Sequence, residues 1–233
     1  MKSNKHLSFW FFTASVMVVL VLSRLIQDGM FMDGLLYACI SKNLATGAGT
    51  FWHPHFSKIT LSFYDQNPPL GFGIQSLFFK LLGNSIYTER TYSFFCAIVH
   101  AFLIVTLWKQ IFKNESELKK LGWLPILLWI IIPVCFWSYS NNMLENTMSI
   151  FDLLAIIFIT RFMLHQQRVW YIVLAGLFTF LATLTKGIQG AFPLVVLAIG
   201  WVVDKRISFR KMMVFSLLLL SIPSAIFQQC HRN

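Results

Sequence analysis

Three carboxylates, Asp28, Asp33 and Asp65, fall in the polar stretch from Gln27 to Asn67, between the first apolar run and the Pro68-Pro69 pair. Most of the remaining chain is hydrocarbon-like, and ionisable groups at a membrane face are costly unless solvated or paired, which marks them as candidates for chemistry. Asp33 opens an amphipathic stretch, Asp33 to Leu44, with Leu36, Ile40 and Leu44 at four-residue spacing. That pattern predicts an interfacial helix just outside the first span. The Asp33 carboxylate then reads either as a helix cap or as a general base beside the bilayer.

Other candidates lie farther along. Glu145, in Asn141-Asn142-Met143-Leu144-Glu145-Asn146, begins a later apolar run. It is either a first-turn acid favoured by the helix dipole or a partner to Asp33 in catalysis. Lys186, in Leu184-Thr185-Lys186-Gly187, is either a snorkelling lysine or a point charge for a phosphate. Glu89-Arg90, at the end of the loop, reads as an interfacial pair. His53-Pro54-His55, with Asp65 downstream, offers imidazole and carboxylate ligands for a divalent metal.

The elements that must position these groups are helices in a membrane. Of the 233 residues, 57% are hydrophobic and 12% charged, too apolar for a soluble domain. Apolar runs fall at about 7–26, 68–82, 91–112, 121–139, 146–164, 170–186, 188–203 and 212–228, which predicts an all-α polytopic membrane protein. The 68–82 segment is the short one. At about 15 residues it would reach ~22 Å, less than the hydrocarbon thickness, and it starts at two prolines. It therefore reads as a second interfacial helix, leaving about seven spans. Cys39, Cys96, Cys135 and Cys230 are widely separated and read as membrane-compatible hydrophobes. Lys2 and Lys5 before the first run resemble the start of a signal peptide, but no small-residue cleavage site follows, so an uncleaved first span is expected.

The net charge of +10 comes from short basic clusters at the ends of apolar runs, which is a topology signal and excludes nucleic acid as the expected partner. With seven spans, Lys2 and Lys5, Lys109, Lys113, Lys119 and Lys120, Arg161 and Arg168, and Lys205, Arg206, Arg210 and Lys211 share one face, most of the 19 basic residues. The N-terminus is then cytoplasmic. Asp28, Asp33, Asp65, Glu145 and Lys186 fall together on the extracytoplasmic side, the long loop being 27–90.

Four segments, in order, resemble the GT-C superfamily of membrane glycosyltransferases, nearest to the lipid A aminoarabinose transferases and protein O-mannosyltransferases. Asp33-Gly34-Leu35-Leu36-Tyr37-Ala38 is similar to that group's Asp-x-x-x-Tyr-Ala motif, and Gln66-Asn67-Pro68-Pro69-Leu70 to its Glu-Lys-Pro-Pro-Leu. Met143-Leu144-Glu145-Asn146 resembles the acidic start of its fourth span, and Leu184-Thr185-Lys186-Gly187 its Leu-Thr-Lys-Gly turn. Gln66 and Asn67 replace a charged pair, and Glu145 stands where Asp is more usual. The resemblance implies a polyprenyl-phosphate sugar donor and a lipid, glycan or protein acceptor in the cell membrane. It also implies catalysis by Asp33 and Glu145, donor-phosphate binding by Lys186 and Arg90, and substrate contacts from Tyr37, Asp65 and Asn67. A divalent metal is a further expectation, with His53, His55 and Asp65 as its candidate ligands. The family implies a chain about twice as long, so residues 1–233 are expected to be one N-terminal transmembrane module. The alternatives are a lipid-linked-sugar flippase or an inactive truncated fragment. A flippase would carry ionisable residues near the bilayer midplane and related repeats, whereas here most charges sit at span ends.

Overall fold

The computed structural model describes residues 5–59, 62–166 and 168–204. Every regular element among them is helical. The chain runs through α1 (His6–Leu25), α2 (Met32–Ala45), α3 (Leu70–Leu82), α4 (Thr88–Ile111), α5 (Ser116–Lys120), α6 (Trp123–Ile130), α7 (Pro133–Ser140), α8 (Leu144–Leu164), α9 (Val169–Lys186) and α10 (Pro193–Asp204). Four of these segments are long and apolar enough to cross a membrane: His6–Leu25, Thr88–Ile111, Leu144–Leu164 and Val169–Ala191. The pair α6 and α7 makes a fifth if it counts as one broken span. Their apolar side chains face outward, with Phe11 67% and Phe102 70% exposed. Only a bilayer makes such surface favourable, so this is a membrane protein.

The segment expected as one span at 121–139 is instead bent by 79° between Ile130 and Pro133. Proline lacks an N–H, clashes with the preceding turn and pushes the residue before it out of helical geometry. Ile132 accordingly takes φ −68°, ψ 122°, and α7 restarts with Pro133 at its first position. Of the span expected at 188–203, residues 188–191 belong to the turn after α9, and α10 supplies twelve residues up to the last described one, Asp204, fewer than a membrane span needs. The 212–228 segment lies outside the described residues.

The chain divides into two compact units, 1–147 and 148–233, the boundary falling inside α8. In the first unit, α2 and α3 pack against each other, and α3 also packs on α4. Leu70–Leu82 starts directly after the Pro68-Pro69 pair, with Pro69 as its N-terminal cap residue. Ser41 Oγ and Gln75 Oε1, at 3.0 Å, tie α2 to α3, and both residues are buried. The connecting loop is stapled to the same pair. Asn43 Nδ2 donates to the carbonyls of His55 and Phe56 at 3.0 and 2.9 Å. Gly73 leaves space that the Phe51 ring fills, since a Cβ there would lie 2.6 Å from Phe51 Cε2.

In the second unit, Ile159, Phe162, Ile172, Ala175 and Leu197 form one fully buried cluster, so α8, α9 and α10 share a core. Lys186 ends α9, Gly187 takes φ +70°, and a tight turn over Gly187–Ala191 folds back on α9. Gly190 lies so close to the Ala182–Thr183 backbone that a Cβ would come within 2.6 Å of the Ala182 carbonyl oxygen and closer still to its neighbours. Two short apolar runs meeting at Lys186-Gly187 were expected, and a helical hairpin is found there.

Candidate active site

Asp33 occupies the first turn of α2, two positions past the cap residue Phe31. The cap residue Phe31 makes no side-chain capping hydrogen bond, and Asp33 is the acid of the first turn. The first turn still places the carboxylate at the positive end of the helix dipole. Glu145 occupies the equivalent first turn of α8. Both are half-buried and lie near the phenol of Tyr37, one turn along α2 from Asp33. Two acids far apart in sequence thus sit on elements that meet at Tyr37, which shares a buried cluster with Leu144, the residue before Glu145.

Tyr37 belongs to a buried cluster with Ile40, Tyr64, Phe72 and Leu144. Its ring centroid lies 5.8 Å from that of Phe72, and that of Tyr64 lies 5.6 Å from Phe72 on an edge-to-face approach. Burial, then Tyr64, Asp33 and Glu145 nearby, push the Tyr37 phenol well above its ordinary range. Burial likewise raises Tyr64, with Asp33 and Asp65 adding to it and a hydrogen bond from Asn67 opposing it. Both phenols therefore stay protonated at neutral pH and can act as hydrogen-bond donors toward the carboxylate side of the cluster. Asn67 Nδ2 donates to Tyr64 Oη at 2.9 Å. Asn67 thus holds the Tyr64 phenol where the family motif carries a charge.

The remaining candidates fall as follows. Asp65 is exposed and close to Tyr64. Arg90 is buried in the first turn of α4, and its Nη1 donates to the Leu25 carbonyl at 2.6 Å, capping the end of α1. Arg90 also acts electrostatically on its neighbour Glu89, so the backbone contact adds to the expected Glu89–Arg90 pair. Lys186 is half-buried at the end of α9 in the second unit. His53 is exposed beside the Phe63 ring, and His55 pairs through its backbone with Phe63. Among the described residues no group of three His, Cys, Asp or Glu side chains is placed to hold a metal ion. His53, His55 and Asp65 are therefore not gathered into a ligand set.

Two features escaped the sequence. One is the turn at Asn141-Asn142, which touches α2 on both sides of Asp33. Asn141 Oδ1 accepts from the Phe31 N–H at 2.8 Å, and Asn142 Nδ2 donates to the Gly34 carbonyl at 3.2 Å. Asn142 has φ 52°, and asparagine tolerates that left-handed geometry better than most residues. The other is Asp152, 7% exposed within the Leu144–Leu164 span, whose Oδ1 has no hydrogen-bond partner among the described residues. It is an exception to the rule that the charges sit at span ends. Its signal was simple: a lone acid inside an apolar run.

Known proteins place this arrangement. Over nearly its whole length the chain is similar to ArnT from Cupriavidus metallidurans, solved bound to undecaprenyl phosphate (TM-score 0.72, 17% identity, 96% of this chain and 41% of that one). The apo form of ArnT gives a TM-score of 0.71 at 18% identity, covering 96% of this chain and 42% of that one. The archaeal oligosaccharyltransferase AglB from Archaeoglobus fulgidus, in complex with an inhibitory peptide and a dolichol-phosphate, matches with a TM-score of 0.67 at 14% identity, over 98% of this chain and 29% of that one. The chain thus spans less than half the length of the solved structures it matches. No curated protein sequence matches it closely. Residues 66–227 match the dolichyl-phosphate-mannose-protein mannosyltransferase family, which covers more than half the chain. The helical fold is that of the GT-C glycosyltransferases, and the chain belongs to the dolichyl-phosphate-mannose-protein mannosyltransferase family.

Proposed function

We propose that this protein moves a sugar from a polyprenyl-phosphate carrier to an acceptor hydroxyl of a lipid, glycan or protein at the extracytoplasmic face of the cell membrane. The observation that carries this proposal is the convergence of Asp33 and Glu145 on Tyr37, from the first turns of two helices. Asp33 takes the proton of the acceptor hydroxyl as that oxygen attacks the anomeric carbon. The bond from the anomeric carbon to the phosphate oxygen breaks, and the electron pair leaves with the polyprenyl phosphate. Attack from the opposite side inverts the configuration. Glu145 orients the acceptor or stabilises positive charge developing on the sugar ring. Lys186, and Arg90 through the nitrogens that Leu25 does not engage, are assigned to the departing phosphate. Tyr37, Asn67 and Asp65 are assigned to substrate contact.

The arrangement that suits this chemistry has about seven spans, a cytoplasmic N-terminus, and α2 and α3 lying in the outer interface as part of the 27–90 loop. A donor whose lipid tail stays in the bilayer then presents its phosphate beside α2.

The test is transfer in proteoliposomes with a radiolabelled polyprenyl-phosphate sugar. Asp33→Asn is expected to lower transfer by about 10²–10⁴-fold, the usual weight of a general base, while donor binding persists. Wild-type turnover by Asp33→Asn sinks the assignment. Translocation of the donor without covalent transfer favours a flippase instead.

A further inference from the structure

The geometry points to Asn141 and Asn142 as positioning residues that set the spacing between Asp33 and Glu145, an inference that rests on the proposed roles of those two acids. Asp33 lies between two backbone anchors. The Phe31 N–H is held by Asn141 Oδ1 at 2.8 Å, and the Gly34 carbonyl by Asn142 Nδ2 at 3.2 Å. Both anchors come from the turn that leads, three residues later, into Glu145. Asn142 is 3% exposed, so its bond is made out of water, where losing it costs most.

The turn is fixed on its other sides as well. Asn141 Nδ2 donates to the Trp137 carbonyl at 2.8 Å, and the Phe31 ring meets the Trp137 ring edge-on at 5.1 Å. Beyond Glu145, Asn146 Nδ2 donates to Ser93 Oγ at 3.3 Å and to the Ser138 carbonyl at 3.0 Å. Thr147 and Tyr92 share a hydrogen bond between their hydroxyls at 2.5 Å. Glu145 is thus held between pinned neighbours on one side, and Asp33 is held to the same turn on the other. The backbones that carry the two carboxylates cannot shift relative to each other without breaking one of these bonds. A misplacement of about 1 Å in such a pair costs up to ~10²-fold in rate.

Three variants test this in the full chain in nanodiscs. Asn142→Gly suits the left-handed backbone and removes only the amide donor. Asn141→Leu removes the acceptor for Phe31. Asn141→Asp keeps that acceptor and gives up the bond to Trp137. The structural readout is the distance distribution between spin labels at Met32 and Val134, both exposed, with the native cysteines changed to serine. The kinetic readout is transfer, resolved into kcat and the donor KM.

Asn142→Gly and Asn141→Leu are expected to broaden or shift the distance. They should lower kcat by ~10–10²-fold with donor KM nearly unchanged, as for a group acting on transition-state geometry. Asn141→Asp should stay within about 3-fold of wild type with an unaltered distance. An unaltered distance in Asn142→Gly and Asn141→Leu overturns the proposal, as does an altered distance with wild-type kcat, or a loss confined to KM. If the wild type shows no transfer, the proposed reaction fails. The distance then decides alone: broadening supports the clamp between α2 and the turn, and an unaltered distance refutes it.

Discussion

Gly34 follows Asp33 and sits where α2 meets the Asn141-Asn142 turn. A Cβ built there would lie 3.0 Å from the Asn141 carbonyl carbon, closer still to its oxygen, and 2.9 Å from Met30 Sδ. The Met30 thioether can rotate away, but the Asn141 carbonyl is backbone and cannot. Carbon atoms rest comfortably at about 3.5–4.0 Å, so Gly34→Ala must separate the helix from the turn by ~0.5–1 Å or more. The Asn142 Nδ2 to Gly34 bond, already 3.2 Å long, does not survive that movement. Overpacking costs roughly 1–3 kcal/mol and the lost bond about 1 kcal/mol, against about 1 kcal/mol recovered from alanine's better helix propensity. The expected net destabilisation is therefore about 1–3 kcal/mol, with a loss of transfer of ~10-fold or more because Asp33 moves with the helix. Thermal unfolding in nanodiscs and turnover in proteoliposomes read the two effects. Leu35→Ala, at an exposed neighbouring position, serves as the control. A Gly34→Ala protein with wild-type melting and turnover would refute the close approach and the role built on it.

Arg90→Ala leaves the Leu25 carbonyl without its charged donor. It should lower stability by about 1.5–3 kcal/mol, seen as a fall in melting temperature; unchanged melting rules out the helix-end contact. Asp152→Leu replaces a buried carboxyl whose Oδ1 has no hydrogen-bond partner among the described residues. It should raise the melting temperature, corresponding to roughly 1–3 kcal/mol, and a lower value would mean that the carboxyl is held by a favourable contact. Tyr37 and Tyr64 have folded-state pKa values raised above their ordinary value of 10. Their contribution to stability is therefore complete below pH 10 and is lost as the pH rises above it. Melting curves between pH 8 and pH 11, on a scale set by ~10 for a free tyrosine, should steepen their fall above 10, and Tyr37→Phe should soften it. The same fall in Tyr37→Phe and the wild type counts against the buried phenol.

What could be foreseen here followed local pattern. The start of α2 at Asp33, the start of α3 after Pro68-Pro69 and the first-turn place of Glu145 are written in turn residues and helical periodicity within a few positions. The bend at Pro133 is equally local, but the apolar run around it masks the break that the proline imposes. The expectation that Asp33 and Glu145 share one membrane face rests on loop charge alone. Their meeting at Tyr37 could not be argued that way, because it depends on how α2 packs on α3 and on the turn before α8. The contacts from Asn141 and Asn142 to Phe31 and Gly34 join parts of the chain more than one hundred residues apart. No spacing in a single sequence announces such a bond. Arg90 is a further long-range case: its Nη1 contact with the Leu25 carbonyl spans 65 residues, and no local spacing announces it.

The hairpin after Lys186 bears on timing. Loops usually sample their conformations in nanoseconds to microseconds, but a turn whose glycine backbone touches the preceding helix has little room to do so. The Lys186 backbone can then change position only when the α9–α10 pair moves as a body, on the microsecond-to-millisecond scale of helix shifts. Any step that requires that backbone to move inherits that slower clock. Amide exchange at Lys186 to Ala191 should accordingly be as slow as in the middle of α9 rather than as fast as in a surface loop.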